Sequence, residues 1–246
     1  MLIAQISDIH ASQGAASLVM LDRAMLWVGG LRPDALLLSG DIANKPHERG
    51  YELVKAAFAG LRVPIYMLPG NADDREAMRK AFPEHDYWPD EGPMNFTHEF
   101  EEGVRLIGLD VTVPGAIHGD AGPHLDWLAG QLTAGDTAPT LIMMHQNAFP
   151  TGMSAFDKHM CRNADGFARV LAEATDPVAA VVCGHGHRPM FSRIGAVPAL
   201  MCPSLTQVNP LVIDGRGEPA TVDPPGLMVH AFNEDGLVSH VVSLAI

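Results

Sequence analysis

The chain of 246 residues has no run of lysine or arginine, no cysteine pair at redox or metal-binding spacing, and no long apolar stretch. Each absence excludes something. With 16 Lys and Arg against 29 Asp and Glu the net charge is −13, so neither a nucleic-acid backbone nor an acidic membrane surface meets a basic patch. Long nucleic acids and membranes are therefore not expected as partners. Cys161, Cys183 and Cys202 are odd in number and widely spaced, which fits reduced, buried thiols in a cytoplasm. Apolar runs such as 178–183 stop well short of the ~20 residues a membrane span needs. The opening segment, MLIAQISDIH, carries neither a basic leader nor a small-residue cleavage site, so no signal peptide is expected. Aromatics are scarce at 6%, yet 47% hydrophobic residues supply a core for one domain over 1–246.

What is present alternates. Short apolar runs at 2–7, 35–39, 64–68, 104–109, 140–144 and 177–183 suit buried strands. Between them, 17–29, 48–58, 73–82, 125–132 and 164–174 have helical spacing. The alternation predicts an α/β fold. After Arg188, strand-like pieces at 190–194, 196–201, 227–232 and 237–244 predict antiparallel or mixed sheet at the end of the chain. The stretch 206–226 is rich in Pro, Gly and Asp without periodicity, which makes it a candidate lid, a homo-oligomer contact or a plain connection.

The most informative regularity is where the apolar runs stop. LIAQIS leads to Asp8 and His10, ALLLSG to Asp41, IYMLPG to Asn71, TLIMM to His145, and VAAVVCG to His185 and His187. In α/β sheets, ligands collect beyond the carboxyl ends of strands, so these side chains are expected to converge. In an extended strand end, residues two apart face one side, which would pair Asp8 with His10 and His185 with His187. Imidazoles, carboxylates and an amide oxygen suit Zn, Mn or Fe, and the two oxygens of Asp41 make it the natural bridge between two ions. The other histidines, His47, His85, His98, His118, His124, His159, His230 and His240, lack this context and are expected at the surface, with His118 and His159 as candidates for the cleft rim.

The order D-x-H, G-D, G-N, H, G-H-x-H, carried by Asp8 and His10, Gly40 and Asp41, Gly70 and Asn71, His145, and 184–187, resembles the calcineurin-like metallophosphoesterases. The segment TLIMMHQNAFPTGM and the helix after it are similar to class III cyclic nucleotide phosphodiesterases and related glycerophosphodiesterases. The resemblance implies two packed mixed β-sheets flanked by helices. It implies two divalent metal ions per chain, one held by Asp8, His10, Asp41 and His187 and the other by Asp41, Asn71, His145 and His185. Asp41, Asn71 and His10 are the implied catalytic residues, and Asn71 and His187 the implied substrate contacts. Two cations sharing a carboxylate lower the pKa of a bridging water toward ~7, which yields the hydroxide that attacks phosphorus.

Two positions depart from that pattern. Ala72 stands where the family has histidine after G-N, and its methyl cannot protonate a leaving oxygen, a contribution worth ~100- to 10,000-fold. Gln146, Asn147 and Ala148 stand where relatives have H-P-P. The expected function is hydrolysis of small phosphodiesters, cyclic nucleotides first. Glycerophosphodiesters, phosphomonoesters and a catalytically weakened metal or nucleotide binder are the alternatives, the last because of Ala72.

Overall fold

The computed structural model describes residues 1–12, 16–135, 137–218 and 220–244. The apolar runs become strands because their β-branched and aliphatic side chains can be covered on both faces at once. β1 (Leu2–Ile6), β2 (Ala35–Ser39) and β3 (Ile65–Leu68) lie parallel, and α1 (Ala16–Leu31) and α2 (His47–Phe58) connect them. A short helix α3 (Arg75–Ala81) follows β3, capped by the Asp74 carboxylate, which accepts from Ala77 N at 2.9 Å. The helix expected from Asp73 thus starts two residues later, because Asp73 is held inside a turn described below.

The second half repeats the scheme. β5 (Arg105–Gly108), β6 (Thr140–Met143) and β7 (Val178–Cys183) are parallel, with α4 (Leu125–Gln131) and α5 (Ala164–Glu173) in the connections. β4 (Phe96–Glu99) pairs antiparallel with β5. Sequence reading did not find β4, whose polar Thr97, His98 and Glu99 hide the alternation. β8 (Met190–Ile194) and β9 (Val197–Met201) form a hairpin, and β9 lies parallel to β7. β10 (Gly226–Asn233) and β11 (Gly236–Ser243) form another hairpin, which joins the first sheet antiparallel to β1. The chain end is mixed, within the expectation of antiparallel or mixed sheet, but its two hairpins go to different sheets.

The result is two mixed sheets, ordered β11-β10-β1-β2-β3 and β4-β5-β6-β7-β9-β8, packed face to face with helices outside. Alternation along the strands divides the core. Leu106, Leu141, Met143 and Val182 pack in the cluster shared with the first sheet, while Ile107, Ile142 and Val181 pack with Leu128 of α4 and Phe167 of α5. Truncating one of these fully buried side chains to Ala costs ~2–5 kcal/mol.

Polar groups also cross between the sheets. Gln5 of β1 donates from Nε2 to Ser39 Oγ at 2.8 Å and to the Cys183 carbonyl at 3.2 Å, while its Oε1 accepts from His230 Nε2 at 2.9 Å. His230 Nδ1 in turn accepts from Ser239 Oγ at 2.8 Å. His230 is therefore fully buried and not at the surface, and His47 and His124 are buried as well. Isolated histidines in a sequence carry no sign of the neutral hydrogen-bonded pockets that hold them. All three cysteines are buried thiols. Among the described residues no helix is long and apolar enough to cross a membrane.

Candidate metal centre

β1, β2, β3, β6 and β7 all end on the same side of the sandwich, and the chain turns sharply after each. The turns differ from the extended strand ends expected from spacing. Asp8, His10, Asp41, His185 and His187 have φ values of 53°, 49°, 53°, 73° and 54°, in the left-handed region. Each such residue costs on the order of 1 kcal/mol or more, and such strain concentrates at functional sites because surrounding contacts must enforce it. Here the enforcing contacts are visible. Asp8 N donates to Gly40 O at 3.0 Å, His10 N to Asp41 O at 2.9 Å and Gly184 N to His145 O at 3.0 Å. A Cβ at Gly70 would collide with Asp41 and His145, and one at Gly184 with Ser7 and Asp8, so the turns close only on glycine.

These turns bring Asp8, His10, Asp41 and His187 together, with one ligand atom from each lying within 4.8 Å of all the others. Asp41 presents Oδ2 to His10 Nε2 and Oδ1 to His145 Nε2, both at 3.3 Å. His187 Nε2 lies 3.3 Å from Asp8 Oδ1. His185 joins through its neighbours: its backbone N–H donates to Asp8 Oδ2 at 3.0 Å, and its ring packs edge-on against His145 with centroids 5.2 Å apart. Asn71 follows β3, and its Oδ1 is buried without a hydrogen-bond partner among the described residues.

Hydrogen bonds on the far side of each ring assign its tautomer. Nδ1–H donates to Asn44 Oδ1 from His10 at 2.9 Å, to Ser39 O from His145 at 2.7 Å, and to Gln207 O from His187 at 2.8 Å. In their neutral forms all three rings thereby turn Nε2 with its lone pair toward the cluster. His185 is reversed, with Nε2–H donating to His159 O at 3.1 Å. His10 Nε2 and His187 Nε2 stand 3.2 Å apart with carboxylates on either side. Two lone pairs at that distance repel unless a cation or proton lies between them. His145 Nε2 has no hydrogen-bond partner among the described residues. The donor set fits divalent cations.

Electrostatics point the same way. Burial works to raise the pKa of Asp8, but His187, His145 and His10 outweigh it and hold the carboxyl below its usual range. Asp41 is lowered likewise, with His145 overcoming burial. Burial works against a charge on His145, yet Asp41 and Asp8 raise it to about 9. Burial and the neighbouring His145 push His185 down to about 3, which keeps it neutral.

A profile of the calcineurin-like phosphoesterases matches residues 1–189. The chain belongs to that family. It is similar to the glycerophosphodiester phosphodiesterase GpdQ of Enterobacter lignolyticus, at 26% identity over 100% of this chain and 92% of the relative. It is also similar to the cAMP/cGMP dual specificity phosphodiesterase MT0825 of Mycobacterium tuberculosis, at 29% identity over 87% of this chain and 68% of that one. Among solved structures, a dimetal phosphatase from Danio rerio superposes with a TM-score of 0.74 at 13% identity, covering 99% of this chain and 96% of that one, a likeness of fold. Calcineurin-like phosphoesterases use divalent metals, and the side chains gathered here form a candidate cluster for them.

In this phosphoesterase several supporting residues escaped sequence reading. Asn44 orients His10 and the Gln207 carbonyl orients His187. Asp73, the acid of G-N-A-D, accepts from Gly70 N, Ile42 N and Ala43 N at 2.9–3.1 Å and from the Tyr51 hydroxyl at 3.1 Å, which locks the Asn71 turn to the Asp41 turn. The G-D-x-x-N and G-N-x-D spacings were the available signals for Asn44 and Asp73. His159 contributes through its carbonyl. Ala72 N donates to Asp41 Oδ1 at 2.7 Å, and His47 Nε2 donates to Ala72 O at 2.8 Å, so an imidazole adjoins the position that lacks one. His47, Lys45, Asn71, Ala72 and Arg75 line a cleft of about 370 Å³. Arg75 is fixed there by a two-point contact with the buried Asp110 carboxylate, at 2.6 and 3.0 Å.

Proposed function

We propose that this phosphoesterase hydrolyses small phosphodiesters with two divalent cations, Mn, Fe or Zn, bound at the strand ends. Asp8, His10, Asp41 and His187 would hold one cation, and Asp41, Asn71, His145 and His185 the other. The observation that carries this reading is the placement of Asp41, whose two oxygens face different histidines as a bridging carboxylate requires. Cations bound there supply Lewis acidity to the phosphoryl oxygens and acidify water for in-line attack on phosphorus.

The protein's own groups do the rest. Asn44, Ser39 O and Gln207 O keep Nε2 of His10, His145 and His187 aimed inward, so no reorganisation is needed when the substrate arrives. Asn71 lines the cleft beside the cluster and with His187 would contact the phosphate. Ala72 contributes no proton to the leaving oxygen; His47, beside it, and solvent are the available donors. Cyclic nucleotides are the first substrates to test and glycerophosphodiesters the second, a pairing that the named activities of the two relatives support. The net charge of −13 keeps long polyanions off the surface, while bound cations would reverse the sign locally.

The test is assay of the purified protein, reconstituted separately with Mn, Zn, Fe and Co, on bis(4-nitrophenyl) phosphate. Turnover with at least one metal is expected. None with any of them would overturn the proposal.

A further inference from the structure

The cleft of about 370 Å³ that Asn71 lines falls within the ~300–1,000 Å³ typical of small-molecule sites. Its charged groups are unequally committed. Asp73 spends its carboxylate on the backbone N–H groups of Gly70, Ile42 and Ala43 and on the Tyr51 hydroxyl. Asp74 accepts from Ala77 N at 2.9 Å, and the exposed Glu76 faces Arg79 at 3.4 Å. His47 gives its Nε2–H to Ala72 O. What the cleft keeps free for a ligand is cationic.

Arg75 is held in advance for that use. Its Nε and Nη2 donate to the two oxygens of Asp110 at 2.6 and 3.0 Å, and Nη2 also reaches Thr112 O at 2.8 Å and Thr112 Oγ1 at 2.9 Å. Asp110 is buried and accepts from Met94 N, Thr112 N and Thr112 Oγ1 as well, so the guanidinium cannot swing away. Nη1 lies on the edge opposite Asp110. It has no partner among the described residues, and it is not one of the polar atoms sealed from solvent. Lys45, exposed on the same lining, is likewise without a partner among the described residues. A guanidinium fixed before binding loses little freedom on meeting an anion, and its charge-assisted hydrogen bonds are about twice as strong as neutral ones. The scissile phosphate would already be neutralised at the cation cluster, so these free donors suit negative charge elsewhere on the same molecule.

We propose that this cleft is the subsite for an oxyanion, such as a carboxylate, carried on one arm of the diester and held by Arg75 Nη1 and Lys45 Nζ. The assignment rests on the phosphodiesterase reading for the position of the scissile phosphate. It adds acyclic diesters with a second negative charge to the substrate classes named above.

The experiment uses the full chain reconstituted with Mn and compares bis(4-nitrophenyl) phosphate with bis(3-carboxy-4-nitrophenyl) phosphate. The two differ by a carboxylate on each arm, so either arm can enter the cleft. Wild type is expected to favour the carboxylated ester in kcat/KM, chiefly through KM. Arg75→Lys keeps a cation against Asp110 but withdraws the outer edge of the fork, and the preference should fall at least ~10-fold. Lys45→Ala should lower it several-fold. A purely structural role for Arg75 would slow both esters alike and leave their ratio unchanged. Calorimetry with 5-hydroxy-2-nitrobenzoate, compared with 4-nitrophenol, reads the same contact without turnover. Thermal melts check folding, and if Arg75→Lys does not fold, Lys45→Ala decides. No preference in wild type, or a ratio and affinity equal in wild type and folded variants, would overturn the subsite even with bis(4-nitrophenyl) phosphate hydrolysed. Nitrobenzoate binding weakened by the variants, with no ester hydrolysed under any metal, would sustain the subsite and sink only the catalytic reading.

Discussion

Asp41 offers each of its two carboxylate oxygens to a different histidine, Oδ2 to His10 and Oδ1 to His145, both at 3.3 Å. The two histidines come from the ends of different strands in different sheets, so Asp41 sits on the seam where the sandwich halves meet.

Replacing Asp41 should therefore remove both proposed cations at once. Asp41→Ala is expected to lower metal content by more than the ~10- to 100-fold loss of affinity seen when only the support of a ligand is removed. His118→Ala should keep wild-type content, and Asn44→Ala, which frees the His10 ring, should fall between. Elemental analysis after dialysis against a weak chelator reads all three. Equal content in the Asp41 and His118 variants would refute the assignment.

Ala72 stands where the resemblance implies a proton-donating histidine, and its backbone already bonds to Asp41. Ala72→His should speed hydrolysis of diesters with poor leaving groups, up to the ~100- to 10,000-fold ceiling of general acid catalysis, and should hardly change 4-nitrophenyl esters, whose leaving group needs no proton. A rate unchanged on alkyl diesters would mean that protonation is supplied elsewhere, with His47 the nearest imidazole.

His230 predicts a pH effect on stability that is separate from catalysis. Burial pushes its pKa down to about 4. In the unfolded chain the value is ~6.5, so between those two pH values the unfolded state binds a proton that the folded state refuses. Stability is then fully present above ~6.5 and falls by about 1.4 kcal/mol per pH unit on acidification, roughly 3 kcal/mol in all by pH ~4. Denaturant unfolding of wild type and His230→Gln across that window should show the wild type with the steeper loss. Parallel curves would mean that His230 takes its proton in the folded state.

Several features were legible before any coordinates. Parallel strands buried on both faces read as unbroken apolar runs, which is why β1, β2, β6 and β7 fell within a residue or two of expectation. The candidate ligands were legible because each ends such a run. β4 was not, since its side chains do not alternate cleanly, and the buried positions of His47, His124 and His230 were not, since burial of an isolated histidine depends on partners distant in the chain. The pairing of Asp8 with His10 was anticipated for the wrong reason: the two come together through left-handed turns and not through extended backbone.

By itself the sequence determined a net charge of −13, that strands and helices would alternate, and which side chains close the strands. Period and composition are local, and those conclusions need nothing else. Only the tertiary structure decided which nitrogen of each histidine faces the cluster and that Asp41 stands between His10 and His145. These depend on hydrogen bonds and packing between segments far apart in the chain, such as His187 with Gln207 and His10 with Asn44, whose meeting no local pattern encodes.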